Sequence, residues 1–245
     1  MNTATVFSPQ GYRALIGSLR AEGYEPRDFF TVRPEARHLI LRHDIDVSLE
    51  AAVAMAELEA SLGVRSTYFA LLRCELYNPF AEAGRAALRR LGALGHEVGL
   101  HFDASLVAGN PDDLDKAAAE ECAMLEGLID RPVRIISFHR PAAALLDLDR
   151  ALAGRAHAYE PRFFKAIGYC SDSRGAFHHG DPLSHPAVAA GQALQLLTHP
   201  IWWMAEGGGN ATDRLERYVA GRTAAMRRTL AAMIESYKPK RGATS

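Results

Sequence analysis

From about residue 38 onward, short apolar runs of strand length alternate with longer runs of helical periodicity, and this alternation restricts the fold more than any other feature. Strand–helix–strand repeats close around a parallel sheet, so the chain reads as α/β: a single distorted (β/α) barrel with parallel strands inside and helices outside. The strand-like runs are HLILRHD (38–44), STYFALL (66–72), HEVGLH (96–101) and VRIISFH (133–139), with weaker ones at AIGYC (166–170) and ALQLLTH (193–199). Ser48 is placed to cap a helix whose Leu49, Val53, Ala56 and Leu62 recur at helical spacing before Gly63 ends it. Asn78 and Pro79 read as the start of the next helix, which stops at Gly95, and Asp112 or Asp113 opens a third that carries Leu114, Ala118, Cys122, Leu125 and Ile129 on one side. A helical segment over about residues 8–22 precedes the first strand. A long amphipathic helix over about 212–237 ends the chain, its stripe of Leu215, Val219, Met226, Leu230, Met233 and Ile234 predicted to be buried on the outside of the barrel.

With 245 residues, 48% of them hydrophobic and 23% charged, the chain has enough apolar material for one large core, and 1–245 reads as one domain. A formal net charge of -1 leaves no electrostatic footprint for nucleic acid, which is excluded as a partner. Cys74, Cys122 and Cys170 are scattered with no CxxC pair, so neither a disulfide framework nor a thiolate metal site is expected. No stretch is long and apolar enough for a membrane span, and the first residues lack the pattern of a secretory signal; the expected compartment is the cytoplasm.

In parallel βα architectures, chemistry gathers just beyond the carboxyl ends of the strands. Titratable residues fall there in this chain: Asp44 and Asp46, His101 and Asp103, His139 and Arg140, Asp172, and His199. Asp44 and Asp46 stand two apart on extended backbone, so both carboxylates face one side and can share a metal or a water. The competing use, capping the next helix, is weakened by Ser48. His101 follows Gly99 and Leu100, which leave room beside the imidazole; His96, at the other end of the same strand, reads as structural.

These segments, in this order, resemble the polysaccharide-deacetylase family, also known as the nodulation-factor deacetylase homology domain or carbohydrate esterase family 4. LRHDID (41–46) is similar to its first motif, in which one Asp is the catalytic base and a second binds metal. GVRSTYFALL (63–72) is similar to its second-strand segment, GHEVGLHFD (95–103) to its GHEIGNH motif, SFHRP (137–141) to its FRxP motif, and LLTHP (196–200) to the late motif that carries a catalytic acid histidine. The HDID variant and the HPIWW ending resemble the deacetylase-like proteins of lipopolysaccharide and O-antigen gene clusters. The sequence departs from the family at Ser105, where a second metal histidine is usual. His139, in the position of the motif arginine, is the candidate replacement; His43 alternates away from the two aspartates, and the His178–His179 pair lies in a glycine-flanked loop.

The resemblance implies one divalent metal, zinc first and cobalt, nickel, manganese or iron as alternatives, on Asp46, His101 and His139. It makes Asp44 the base and His199 the acid, with Arg140 and Asp172 orienting Asp44 or His199. Trp202 is expected to offer a flat face to a sugar ring, with Tyr169 as a second substrate contact. The implied reaction is hydrolysis of an N-acetyl or N-formyl group on a small-molecule or lipid-linked amino sugar in surface-polysaccharide assembly. Two other functions fit the same residues: hydrolysis of a non-sugar amide, and sugar binding by a catalytically impaired protein, the latter motivated by Ser105.

Overall fold

The computed structural model describes residues 6–107, 111–178, 180–205 and 207–238. Its parallel strands are β1 (Glu25–Pro26), β2 (His38–Ile45), β3 (Thr67–Leu71), β4 (Glu97–Phe102), β5 (Ile135–Phe138), β6 (Ala156–His157), β7 (Gly168–Ser171) and β8 (Leu194–Thr198). They pair in the order β6-β5-β4-β3-β2-β8-β7, with β1 added to β2, and form a curled half-barrel. The six strands expected from the sequence are present. The two that were missed, β1 and β6, have two residues each, too few to show a period.

The longer helices are α1 (Pro9–Ala21), α2 (Leu49–Ser61), α3 (Glu82–Ala93) and α4 (Pro111–Ile129). Between β5 and the chain end come α5 (Ala143–Leu146), α6 (Pro161–Phe164), α7 (Pro186–Ala189), α8 (Pro200–Met204) and α9 (Ala211–Met233). Ser48 caps α2 as expected, its hydroxyl accepting from the Ala51 amide. Helix α3 begins later than Asn78–Pro79 suggested: the Asn78 side chain instead accepts from the Phe80 amide in a tight turn, a local bond that competes with helix initiation.

Every residue of β2 is buried, as a central strand covered on both faces must be. One face points into the barrel. The other meets α1 and α2, where Glu59 of α2 accepts hydrogen bonds from Tyr12 (2.6 Å), Ser66 (2.6 Å) and Tyr68 (2.8 Å) and lies 2.9 Å from Nε2 of His43. Burial alone would raise the pKa of Glu59; His43 and these donors outweigh it and hold the carboxyl at about 2. His96 sits beside this cluster, bonded to Ser66 and to the Ala56 carbonyl, the structural role expected of it.

The chain divides into two compact units, residues 1–204 with the sheet, and residues 205–245 with α9. Helix α9 starts with a capping box of Asn210 and Asp213. Taken by itself, α9 leaves Val219, Met226, Leu230, Met233 and Ile234 exposed, since the described residues of its unit form no second layer to cover them. No helix among the described residues is long and apolar enough to cross a membrane.

Candidate active site

The period of two along β2 decides what enters the barrel mouth. Arg42, Asp44 and Asp46 share the inward face, and His43 points the other way into the Glu59 cluster. The guanidinium of Arg42 forks onto Asp44, Nε to Oδ1 at 3.0 Å and Nη2 to Oδ2 at 2.8 Å, with both side chains essentially out of solvent. Arg42 also donates to Ser137 Oγ (2.6 Å), Tyr159 OH (2.9 Å) and Gln195 Oε1 (3.2 Å). Burial pushes the pKa of Asp44 up, but Arg42, with smaller help from His101 and His199, brings it below the usual carboxylate range.

Three donors converge where β2, β4 and β5 end. Nε2 of His101 lies 3.0 Å from Asp46 Oδ1, Nδ1 of His139 lies 3.5 Å from the same oxygen, and the two imidazole nitrogens are 3.2 Å apart. One ligand atom from each of the three fits within 4.8 Å of the others. The other nitrogen of His101 is 3.1 Å from Ser137 Oγ. Ser137 gives its proton towards Asp44 (3.3 Å to each oxygen) and already receives Arg42, so His101 Nδ1 is the donor to it and the Nε2 lone pair faces Asp46. That lone pair then points at a carboxylate oxygen which is buried and accepts no hydrogen bond of good geometry. Acceptors held face to face at this range repel one another unless a cation lies between them, so the donor set suits a divalent metal.

The position of the usual second histidine is filled by Ser105, in a short 3-10 turn with its amide and hydroxyl both bonded to Asp103 (3.0 and 2.6 Å). His139 reaches the cluster from β5 instead. The expectation that Gly99 leaves room beside His101 needs a different reason: a Cβ there would stand 2.7 Å from both the Ile135 carbonyl and the Phe69 ring, so it is strand packing that requires glycine.

His199 follows β8, with its Nδ1 2.6 Å from Asp172 Oδ1 and its amide shared between both Asp172 oxygens at 3.1 Å. Trp203 Nε1 donates to Asp172 Oδ2 at 2.7 Å. Burial opposes charge on His199, but Asp172, helped by Asp46 and Asp44, raises its pKa to about 9. Its Nε2 therefore carries a proton at neutral pH and faces the mouth, 3.7 Å from Asp46 Oδ2.

Two sequence expectations, for Arg140 and Trp202, differ from what the structure places. Arg140 does not orient Asp44 or His199: it is exposed and bonds to neither, because the fork onto Asp44 comes from Arg42. Trp202 is 9% exposed, less surface than a stacking platform needs, because α8 turns it inward beside the fully buried Trp203. Tyr169 is half-buried against Phe164, and its phenol, kept un-ionised mainly by burial, lies close enough to Arg42 and Asp44 to feel both charges; it belongs as much to the Asp44 support as to a sugar contact. Arg42 and Ser137 were not identified from the sequence, and Trp203 read only as a possible sugar face, not as the donor to Asp172. The signal for Arg42 was present, since it shares the parity of Asp44 and Asp46. His179 lies outside the described residues.

No protein-family model and no curated protein sequence matches this chain. Among solved structures it is similar to a family 4 carbohydrate esterase from Bacillus anthracis, with 14% identity over 87% of this chain and 86% of that one and a TM-score of 0.45. It is also similar to a Streptococcus pyogenes deacetylase in complex with acetate (13% identity, 80% and 83% covered, TM-score 0.46). A third likeness is to a pseudoenzyme of carbohydrate esterase family 4 from Bacillus anthracis (13% identity, 79% and 63% covered, TM-score 0.43). Likenesses of this size leave the activity to be argued from the site itself.

Proposed function

We propose that the chain is a metal-dependent hydrolase of the polysaccharide-deacetylase type that removes an N-acetyl or N-formyl group from an amino sugar or sugar precursor. The observation that carries this reading is the buried, hydrogen-bond-free Oδ1 of Asp46, with imidazole nitrogens of His101 and His139 at 3.0 and 3.5 Å. Zinc is the first candidate for the ion, since an aspartate and two imidazoles leave a coordination position open. When bound, it would supply a Lewis acid and lower the pKa of a water at that open position.

The remaining chemistry belongs to the side chains. Asp44, 3.8 Å from His101 Nε2, lies beside the same space and takes the proton of the attacking water. Arg42 and Ser137 fix its orientation and keep it ionised until then. His199, cationic through Asp172, gives the Nε2 proton to the departing nitrogen, so the amine leaves neutral. Trp203 holds the second oxygen of Asp172 and so fixes the rotamer of the pair. The proposal extends to a precursor in surface-polysaccharide or lipopolysaccharide assembly, acted on in the cytoplasm. The test is release of acetate or formate from free, nucleotide-linked and lipid-linked N-acyl amino sugars, with zinc, after chelation and after zinc is returned. Release that chelation stops and zinc restores is the expected result. No release from any of them, with metal demonstrably bound, would reject the proposal.

A further inference from the structure

Four residues other than glycine have a positive φ among the described residues: Asp130, Arg140, Ala153 and Arg174. Two have local explanations. Asp130 ends α4, where a left-handed residue is common, and Ala153 with Gly154 makes the turn that brings Leu152 opposite Arg155. Arg140 (φ 46°) follows β5 with no such turn, and Arg174 (φ 60°) lies with Gly175 in a turn that the Gly175 amide closes on the Asp172 carbonyl, beside the site. One directly follows His139; the other is two residues beyond Asp172, which holds His199. Pro141 discourages the right-handed helical well at Arg140 but does not call for an arginine there, and neither position has the short polar side chain that makes this backbone region inexpensive. Backbone strain of this kind at non-glycine residues collects at ligand sites.

Both arginines are exposed, and neither has a hydrogen bond or an ion pair with any described residue. Arg140 follows β5 and Arg174 follows β7, at the carboxyl ends of strands on the two sides of β2. His139 is in reach of Asp46, Asp46 of His199 and His199 of Asp172, so Arg140 and Arg174 flank that row of side chains from β5 and from β7. Solvent enters along the same row, since the side chains of His139 and His199 are each 12% exposed and that of Asp46 is 27% exposed. Within the mouth, Asp44 is matched by Arg42 and Asp172 by His199, and among the described residues neither Arg140 nor Arg174 has a carboxylate partner.

We infer that Arg140 and Arg174 form an anion subsite at the barrel mouth, and that the amino sugar taken there carries a phosphoryl group. This rests on the amino-sugar reading of the site. Guanidinium forks suit phosphate oxygens, and a pair of them across an opening holds one end of a sugar while its acyl nitrogen lies over Asp46 and His199.

The test is calorimetric binding to the zinc-loaded protein of three probes: N-acetylglucosamine, its 1-phosphate, and the uridine diphosphate sugar. The 1-phosphate or the nucleotide sugar should bind at least about ten-fold more tightly than the free sugar, as expected for one added charge-assisted contact, and the preference should shrink with salt. The better of the two charged probes identifies the source of the phosphate. Arg140→Gln and Arg174→Gln should each reduce the preference without changing the affinity for free sugar, and both are exposed positions at which folding can be verified by an unchanged melting temperature. Equal binding of charged and uncharged probes by the wild type, or a preference that survives both substitutions, overturns the inference. Hydrolysis of N-acylated sugars with no phosphate preference would reject this subsite alone; phosphate-dependent binding without hydrolysis of any would reject the hydrolase reading and keep the subsite.

Discussion

Replacing Arg42 with methionine tests the electrostatic arrangement behind the site. The substitution keeps an unbranched apolar stem but removes the only guanidinium among the described residues that is bonded to Asp44, whose carboxylate is 3% exposed and accepts two of its bonds from that group. Breaking a buried ion pair from one side costs about 3–5 kcal/mol, because the remaining charge keeps its desolvation penalty and loses its compensation. Three further hydroxyl or amide partners, Ser137, Tyr159 and Gln195, lose a donor as well, which places Arg42→Met towards the upper part of that range. The loss should depend on pH with a definite sign. In the native protein the pKa of Asp44 is depressed, so its contribution is present above the unfolded carboxylate value and fades as pH falls. In the variant, burial acts without Arg42, the pKa rises above the unfolded value, and the deficit is larger at pH 8 than at pH 5. Urea unfolding at both pH values, for Arg42→Met, Asp44→Asn and the double variant, reads this out. The double variant should be more stable than Arg42→Met at pH 8, since it removes the stranded charge. A deficit below about 1 kcal/mol that does not change with pH, or a double variant destabilised by the sum of the two, would refute the claim that Arg42 is there to hold Asp44 ionised.

In the metal-free protein His199 should titrate at about 9 by NMR, and Asp172→Asn should bring it down towards the ordinary 6.5; a value unmoved by that substitution would show that Asp172 does not charge the histidine. Glu59 should support acid stability. Its depression from 4.5 to about 2 corresponds to about 3 kcal/mol, present above pH 4.5 and lost as pH falls through 2, so Glu59→Gln should be destabilised by about that amount at pH 7 and show a flatter acid limb in urea titrations. Gly99→Ala should lower the melting temperature by several degrees, measured by calorimetry, because its Cβ would meet the Ile135 carbonyl and Phe69 at 2.7 Å.

The strands were legible because central parallel strands are buried on both faces and show as unbroken apolar runs bounded by turn residues, as in 38–45 and 194–198. The donors at their carboxyl ends were legible for the same reason: Asp46, His101, His139 and His199 end such runs. What stayed hidden depends on which partner wins. Arg42 sits inside an apolar run and reads as an interruption until β5 brings Ser137 beside it and β8 brings Gln195. Arg140 occupies a strand-end position that suggests support of Asp44, yet it is exposed and the support comes from Arg42. Trp202 and Trp203 are adjacent and alike in sequence, and only the packing of α8 separates a buried ring with no hydrogen bond from one that holds Asp172. Helix α9 has a clear amphipathic period, but a period specifies a face and not whether anything covers it.

The measurement that bears most directly on the whole account is metal content and affinity of the purified protein, wild type against His139→Ala and Ser105→Ala, by elemental analysis after dialysis and by competition with a chromophoric chelator. If His139 supplies the ligand that the position of Ser105 does not, the wild type retains about one divalent ion per chain, Ser105→Ala is unchanged, and His139→Ala weakens binding by at least about a hundred-fold. A wild type that binds no divalent metal, or a His139→Ala variant that binds it as tightly as the wild type, would contradict the assignment of Asp46, His101 and His139 as the metal centre.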